Sequence, residues 1–179
     1  MNKNNKLQLT GKRTTKGRPG VPRRKQVVLD VLMKFRLVIN TAKRHYSWIE
    51  KQCGVSGAHM WALSELQESP DMRASDLAAV MAIHQSTVSN LLDKLESEGY
   101  IQRNRPTDDR RTVTLSLTKS GKALVERAPH PARGILPDAL HQLDPATLQS
   151  LDHLLTRLLG EMNSVDRKSM KKPLADTLS

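Results

Sequence analysis

The chain has 179 residues, one cysteine and a formal net charge of +11. That length allows one domain, or one domain with tails, and a single cysteine excludes an intramolecular disulfide. No apolar run approaches the roughly 18 residues of a membrane span, and residues 1–26 lack the apolar core of a secretory signal, so a cytoplasmic protein is expected.

The charge is concentrated at one end. Residues 1–26 hold nine Lys or Arg (Lys3, Lys6, Lys12, Arg13, Lys16, Arg18, Arg23, Arg24, Lys25) and no acid, which leaves +2 for the remainder. A disordered basic arm of this kind favours polyanions, because binding releases condensed counterions; the plain alternative is a solubilising tail. Within Lys16-Gly17-Arg18-Pro19, Gly-Arg-Pro looks like the core of an AT-hook, which lies in the narrow A·T minor groove where negative potential attracts Arg; the alternative is a simple disordered basic arm.

From Gln26 to about Gln52 the spacing predicts one long helix. Val28, Val31, Leu32, Phe35, Val38, Ile39, Ala42 and Ile49 form its apolar stripe, which needs a second chain or the far end of this one to cover it. Four of the five aromatics (Phe35, Tyr46, Trp48, Trp61) fall between residues 35 and 61. They mark either a ligand pocket or a core where several helices meet. Cys53 follows the helix; Lys51 nearby would favour a thiolate and make it a candidate oxidation sensor, whereas a small buried residue is the plainer reading. Ser56 can cap a helix containing Met60, Leu63 and Leu66, which Pro70 closes off.

Residues 74–118 carry the densest signal. Leu77, Val80 and Met81 repeat at helical spacing, with Ala78 and Ala79 small enough for close packing. A short turn at Ile83 follows. From Gln85 a second helix aligns Val88, Leu91, Leu92 and Leu95 on one stripe. Its other face carries Gln85, Ser86, Thr87, Ser89, Asn90 and Lys94, and Gly99 suits the left-handed position that ends a helix. Such a helix-turn-helix offers its second helix to base edges in a major groove. Gln and Asn read adenine well, His84 would cap the helix or meet phosphate, and Lys94 would touch phosphate or solvent. Tyr100–Asn104 can form a strand. Val113, Leu115 and Leu117 alternate with Thr112, Thr114 and Ser116, the period of a strand with one buried face. Between them 105–111 is polar and turn-forming, so the whole reads as a winged helix.

Leu77-Ala78, Ser86-Thr87-Val88-Ser89, Leu92-x-x-Leu95-Glu96, Gly99, Asp109-x-Arg111 and Leu117-Thr118-x-x-Gly121 together resemble the MarR family of bacterial transcriptional regulators, over roughly residues 27–162. The resemblance implies a dimeric winged-helix protein, usually a repressor, often released from DNA by a small aromatic acid or by oxidation. It implies that Arg111 enters the minor groove while Asp109 orients that region, with Arg110 beside them at the wing tip. It also implies a pocket between the long helix and the DNA-binding lobe. Arg44, His45, Trp48, His59 and Trp61 would suit an aromatic carboxylate there. Two positions depart from the family pattern, His84 where Asp or Ser often caps and Asn90 where a basic residue is common, and both bear on the operator sequence.

Thr118 is a plausible cap for a helix carrying Leu124 and Val125 to Ala128, which Pro129 and Pro131 break. A segment with Ile135, Leu136, Ala139, Leu140 and Leu143 follows. Asp144-Pro145 starts a last helix whose Leu148, Leu151, Leu155, Leu158 and Met162 read as a dimer seam with the first.

The expected organisation is therefore a basic arm (1–26), a mainly α winged-helix domain (27–162) and a flexible tail (163–179). Within the domain the DNA-binding lobe is 56–118, and the dimerisation helices are 27–52 and 119–162. The expected function is a homodimeric, sequence-specific regulator binding double-stranded DNA and a small effector; a low-specificity architectural DNA binder is the alternative. The histidines lack metal-ligand spacing, and neither a metal, a cofactor nor a catalytic constellation is expected.

Overall fold

The structure is a computed structural model describing residues 23–105, 113–162, 165 and 172–178. The element order is α1 (Arg23–Cys53), α2 (Gly57–Glu68), α3 (Ala74–Val80), α4 (Gln85–Ser97), β1 (Ile101–Asn104), β2 (Thr114–Leu117), α5 (Lys119–Glu126), α6 (Ile135–His141), α7 (Pro145–Gly160) and α8 (Leu174–Leu178). The chain divides between Leu37 and Val38 into two units, so the first half of α1 is described by itself. There Val28, Val31, Leu32 and Phe35 are all exposed. Beyond the boundary the stripe begins to be covered, with Ala42, Tyr46 and Ile49 buried.

The lobe is built around α2. The Ser56 hydroxyl accepts from His59 N–H, supplying one of the partners a helix start lacks. Met60, Leu63 and Leu66 are then buried almost completely. Against α2 pack α4, α5, β2 and α8, and α3 packs on α4. The stripe Val88, Leu91, Leu92 and Leu95 is buried in this core; truncating Leu92 to Ala there would cost about 2–5 kcal/mol by lost burial and cavity formation.

Helix α4 ends as its sequence indicates. Gly99 has φ +74°, Tyr100 N–H donates to Leu95 O, and Gly99 N–H donates to Glu96 O, the paired bonds of a Schellman ending. Strands β1 and β2 then pair antiparallel, Ile101 opposite Leu117 and Asn104 opposite Thr114, with Leu115 and Leu117 turned into the core. Leu115 also bridges to Met72, ahead of α3, through its N–H on Met72 O at 2.9 Å. Thr118 caps α5 by accepting from Gly121 N–H and donates its own proton to Gly99 O at 2.7 Å. Gly121 allows this closure: a Cβ there would stand 2.1 Å from Tyr100 O. Asp144 caps α7 through Ala146 and Thr147 N–H, with Pro145 in the first turn.

Four expectations need correction. Val80 and Ala79 are exposed, because α3 is only seven residues long and reaches the core through Leu77, Ala78 and the Met81 that ends it. The long helix begins at Arg23, inside the stretch assigned to the basic arm. Helix α5 belongs to the lobe, since Leu124 and Val125 are buried and it packs on α2 and β2; only α7, with no buried residue, keeps the free leucine surface expected of 119–162. Residues 172–178 are not a loose tail, for Pro173 and Ala175 are buried and α8 packs on α2.

The turn between α3 and α4 holds Ala82 at φ +52°, a conformation that costs an L-residue about 1–2 kcal/mol. Ala82→Gly is expected to raise the unfolding free energy by roughly 0.5–1 kcal/mol, measured by urea denaturation. A destabilised variant would contradict the turn geometry.

Candidate nucleic-acid interface

Helix α4 divides its residues between two environments. With Val88, Leu91, Leu92 and Leu95 inside, Gln85, Ser86, Ser89, Asn90 and Lys94 are exposed and Thr87 is half-buried. The predicted cap is present: His84 Nδ1 accepts from Ser86 N–H at 3.4 Å and lies 2.8 Å from Ser86 Oγ. Ser89 Oγ donates back to Gln85 O at 3.0 Å. Both serine hydroxyls thus have local partners, and the exposed carboxamides of Gln85 and Asn90 are the groups best suited to base edges. Lys94 lies 4.0 Å from Glu98 in an exposed i,i+4 pair, which contributes little and is easily exchanged for another anion. Asp109, Arg110 and Arg111 lie outside the described residues.

Arg103 on β1 was not anticipated. Its guanidinium reaches Asp93 Oδ1 at 2.6 Å and also bonds Glu96 Oε2, both on α4. The hydrogen bond to Asp93 and the charges of both carboxylates hold its pKa above the ordinary Arg value. One fork thereby ties the wing strand to the recognition helix. The signal in sequence was only an Arg seven residues after a Glu, across a helix end and a turn, which no short-range rule pairs. Because the groups are partly exposed, Arg103→Ala should lower stability by only about 0.5–1 kcal/mol. A double-mutant cycle with Glu96→Gln should give a coupling that shrinks as salt is raised; a salt-independent coupling would refute the electrostatic account.

The five effector candidates do not converge on one site, although His45 and Trp48 meet. Arg44 and Trp48 are exposed. His45 is buried, with Nε2 3.0 Å from Pro131 O, and its ring meets Trp48 edge-on at 5.9 Å between centroids. His59 Nδ1 lies 2.6 Å from Ser56 Oγ, and its Nε2 is buried without a partner among the described residues. Trp61 donates its indole N–H to Glu65 Oε1 at 2.7 Å. Of the four clustered aromatics, Phe35 and Trp48 are exposed, Trp61 is half-buried, and the one that lies in the core is Tyr46. That ring is buried where a Cβ on Gly57 or Gly134 would strike it, and its hydroxyl is pushed up to about 12 by desolvation. Trp61 alone of the five lines a described cavity, one of about 380 Å³.

Cys53 closes α1 and is buried. Desolvation pushes its thiol up, with Arg127 opposing, and a raised pKa disfavours the reactive form.

Burial and then the Lys94 charge lower the His59 pKa from its ordinary 6.5, against Glu98 and Asp176. The unfolded chain therefore takes up this proton more readily than the folded one, and stability falls as pH drops below 6.5. Thermal unfolding between about pH 7.5 and about pH 5.5 should show a midpoint that declines less in His59→Gln than in the parent. Equal declines would remove His59 from the account.

A helix-turn-helix with a two-stranded wing, presenting a polar helix face above a buried stripe, defines a winged-helix protein of the DNA-binding kind. Residues 56–113 match the MarR family. The chain is 33% identical over 99 residues to the homoprotocatechuate degradative operon repressor of Escherichia coli, covering 55% of this chain and 67% of that one. It is 28% identical over 124 residues to the HTH-type transcriptional repressor MdtR of Bacillus subtilis (strain 168), covering 69% and 79%. Among solved structures, the YusO protein of Bacillus subtilis superposes with a TM-score of 0.50 at 25% identity, over 79% of this chain and 100% of that one. The chain belongs to the MarR family of DNA-binding transcriptional regulators.

Proposed function

We propose that the protein is a homodimeric repressor of a pseudo-palindromic operator, released by a small aromatic acid. The observation that carries this reading is the exposed face of α4, where Gln85 and Asn90 stand free of the core while Ser86 and Ser89 are held by local bonds. Two such helices, about one turn of DNA apart in a dimer, would read two half-sites, with each wing and its Asp109, Arg110 and Arg111 in a flanking minor groove. The basic arm adds phosphate neutralisation.

Dimerisation is supported by apolar surface that the single chain leaves open. Val28, Val31, Leu32, Val38 and Ile39 on α1 and Leu148, Leu155, Leu158 and Met162 on α7 are exposed, and rows of exposed large apolar side chains mark an interaction surface. A second copy covers both faces. The name of the homoprotocatechuate operon relative supports an aromatic acid as effector. An acid that binds better to the half-site spacing unsuited to DNA lowers DNA affinity by linkage.

Selection of genomic DNA with purified protein, followed by footprinting, tests the reading. The expected result is a protected pseudo-palindrome bound about 10³-fold more tightly than random DNA at ~0.15 M salt. Diffuse enrichment of A·T-rich DNA without a footprint would replace it with an architectural role carried by the arm. On the selected operator, Arg111→Ala should weaken binding and reduce the slope of log K against log salt by about one; an unchanged affinity and slope would remove Arg111 from the interface.

A further inference from the structure

The C-terminal residues occupy a groove beside α2 that they do not fill. Pro173 is fully buried, Ala175 buried and Leu174 half-buried. Ala175 and Asp176 border a polar cavity of about 160 Å³ shared with Tyr46 and Glu50. Lys172, Leu174 and Thr177 border the second, of about 380 Å³, shared with Trp61 of α2 and Met81 and Ile83 of the turn between α3 and α4. The first is small for an organic ligand; the second falls in the range of small-molecule sites, about 300–1,000 Å³.

The lining of the larger cavity narrows what it can hold. Its walls are apolar apart from Lys172 and Thr177, and no carboxylate among the described residues lines it. The polar edge of Trp61 is already committed to Glu65, so the indole offers carbon surface. Lys172 is exposed at its rim, where an ammonium keeps its hydration and can meet an anion. Partly buried apolar walls, with Met81 and Pro137 buried and Trp61, Ile83 and Leu174 half-buried, reward an apolar body, and Lys172, the one cation among the described lining residues, rewards one anionic group.

We propose that the C-terminal segment Lys172–Leu178 completes a binding site for a small amphipathic anion. Its apolar body lies between Trp61 and Leu174 and its carboxylate or sulfonate meets Lys172. The occupant rests on Met81 and Ile83, the turn from which the recognition helix departs, so a ligand here acts on the orientation of α4 through direct contact. The consequence for DNA rests on the function proposed above; the site itself rests on its lining. Of the residues expected to hold an effector, only Trp61 belongs to it.

The test uses two fluorescent probes of similar body, the anion 1-anilinonaphthalene-8-sulfonate and the neutral N-phenyl-1-naphthylamine. They are titrated into the full chain, Lys172→Glu, and a chain ending at Lys171. Charge reversal at an exposed rim position should leave the fold intact, which circular dichroism checks. It should raise the Kd of the anion about tenfold or more, the scale of one charge-assisted contact, and leave that of the neutral probe within about twofold. The shortened chain should lose both. Wild-type affinity of the anion for Lys172→Glu, or of both probes for the shortened chain, would overturn the site. If the shortened chain does not fold, the charge-reversal comparison decides. Repeating the titrations against the selected operator separates the two claims. Probe binding as expected with unchanged DNA affinity supports the site and removes its regulatory role, whereas absence of any operator removes the regulator reading alone.

Discussion

The lobe depends on the burial of α2. From Gly57 to Leu66 this helix is covered on nearly every side, and four other elements take their positions from it. A helix enclosed to that degree has few ways to shift without opening voids, because interiors are packed like molecular crystals. Local bonds accommodate two of its polar groups, since Ser56 caps it and the buried Glu65 accepts from Trp61, while His59 Nε2 has no partner among the described residues. With α2 immobile, the stripe of α4 has one seat. The opposite face of α4 is then aimed outward by exclusion.

That outward face is useful only if the wing is placed relative to it. The placement comes from three kinds of contact. Leu115 and Leu117 turn into the core, the Gly99–Thr118–Gly121 closure joins the end of α4 to the start of α5, and the Arg103 fork spans helix and strand. The first is buried and the second is made of uncharged hydrogen bonds, so salt screens neither strongly. The third is partly exposed and screened by ions, so it is the softest of the three. Softness there is compatible with a helix and wing that settle together onto a groove, since local stability is lowest where elements must move.

The apolar faces of α1 and α7 have a different status. They are as regular in sequence as the stripe of α4, yet within one chain α7 and α1 as far as Ile39 remain exposed. Burial of a leucine stabilises by about 1.5–3 kcal/mol, and the exposed leucines of these faces do not gain it within one chain. The surface contributes to stability only when covered.

Much of this was readable from residue order alone. The two helices of the DNA-binding motif, the cap at His84, the left-handed Gly99, the alternating strand and the Asp144-Pro145 start are local. Each is set by periodicity or by a backbone preference within a few residues, and each has its counterpart in the fold. What the sequence could not determine were the outcomes of competition between distant groups. Val80 keeps helical spacing but lies on a helix too short to turn it inward. His45, Tyr46 and His59 have the chemistry of a ligand site, yet Pro131 and Ser56 engage the two imidazoles and Gly57 and Gly134 pack against the Tyr46 ring. Arg103 finds its partners across a helix end, and residues 172–178, with no periodicity to announce them, fold back onto α2. In each case the deciding quantity is which group reaches a buried position or a polar partner first in space, and that follows from packing rather than from spacing along the chain.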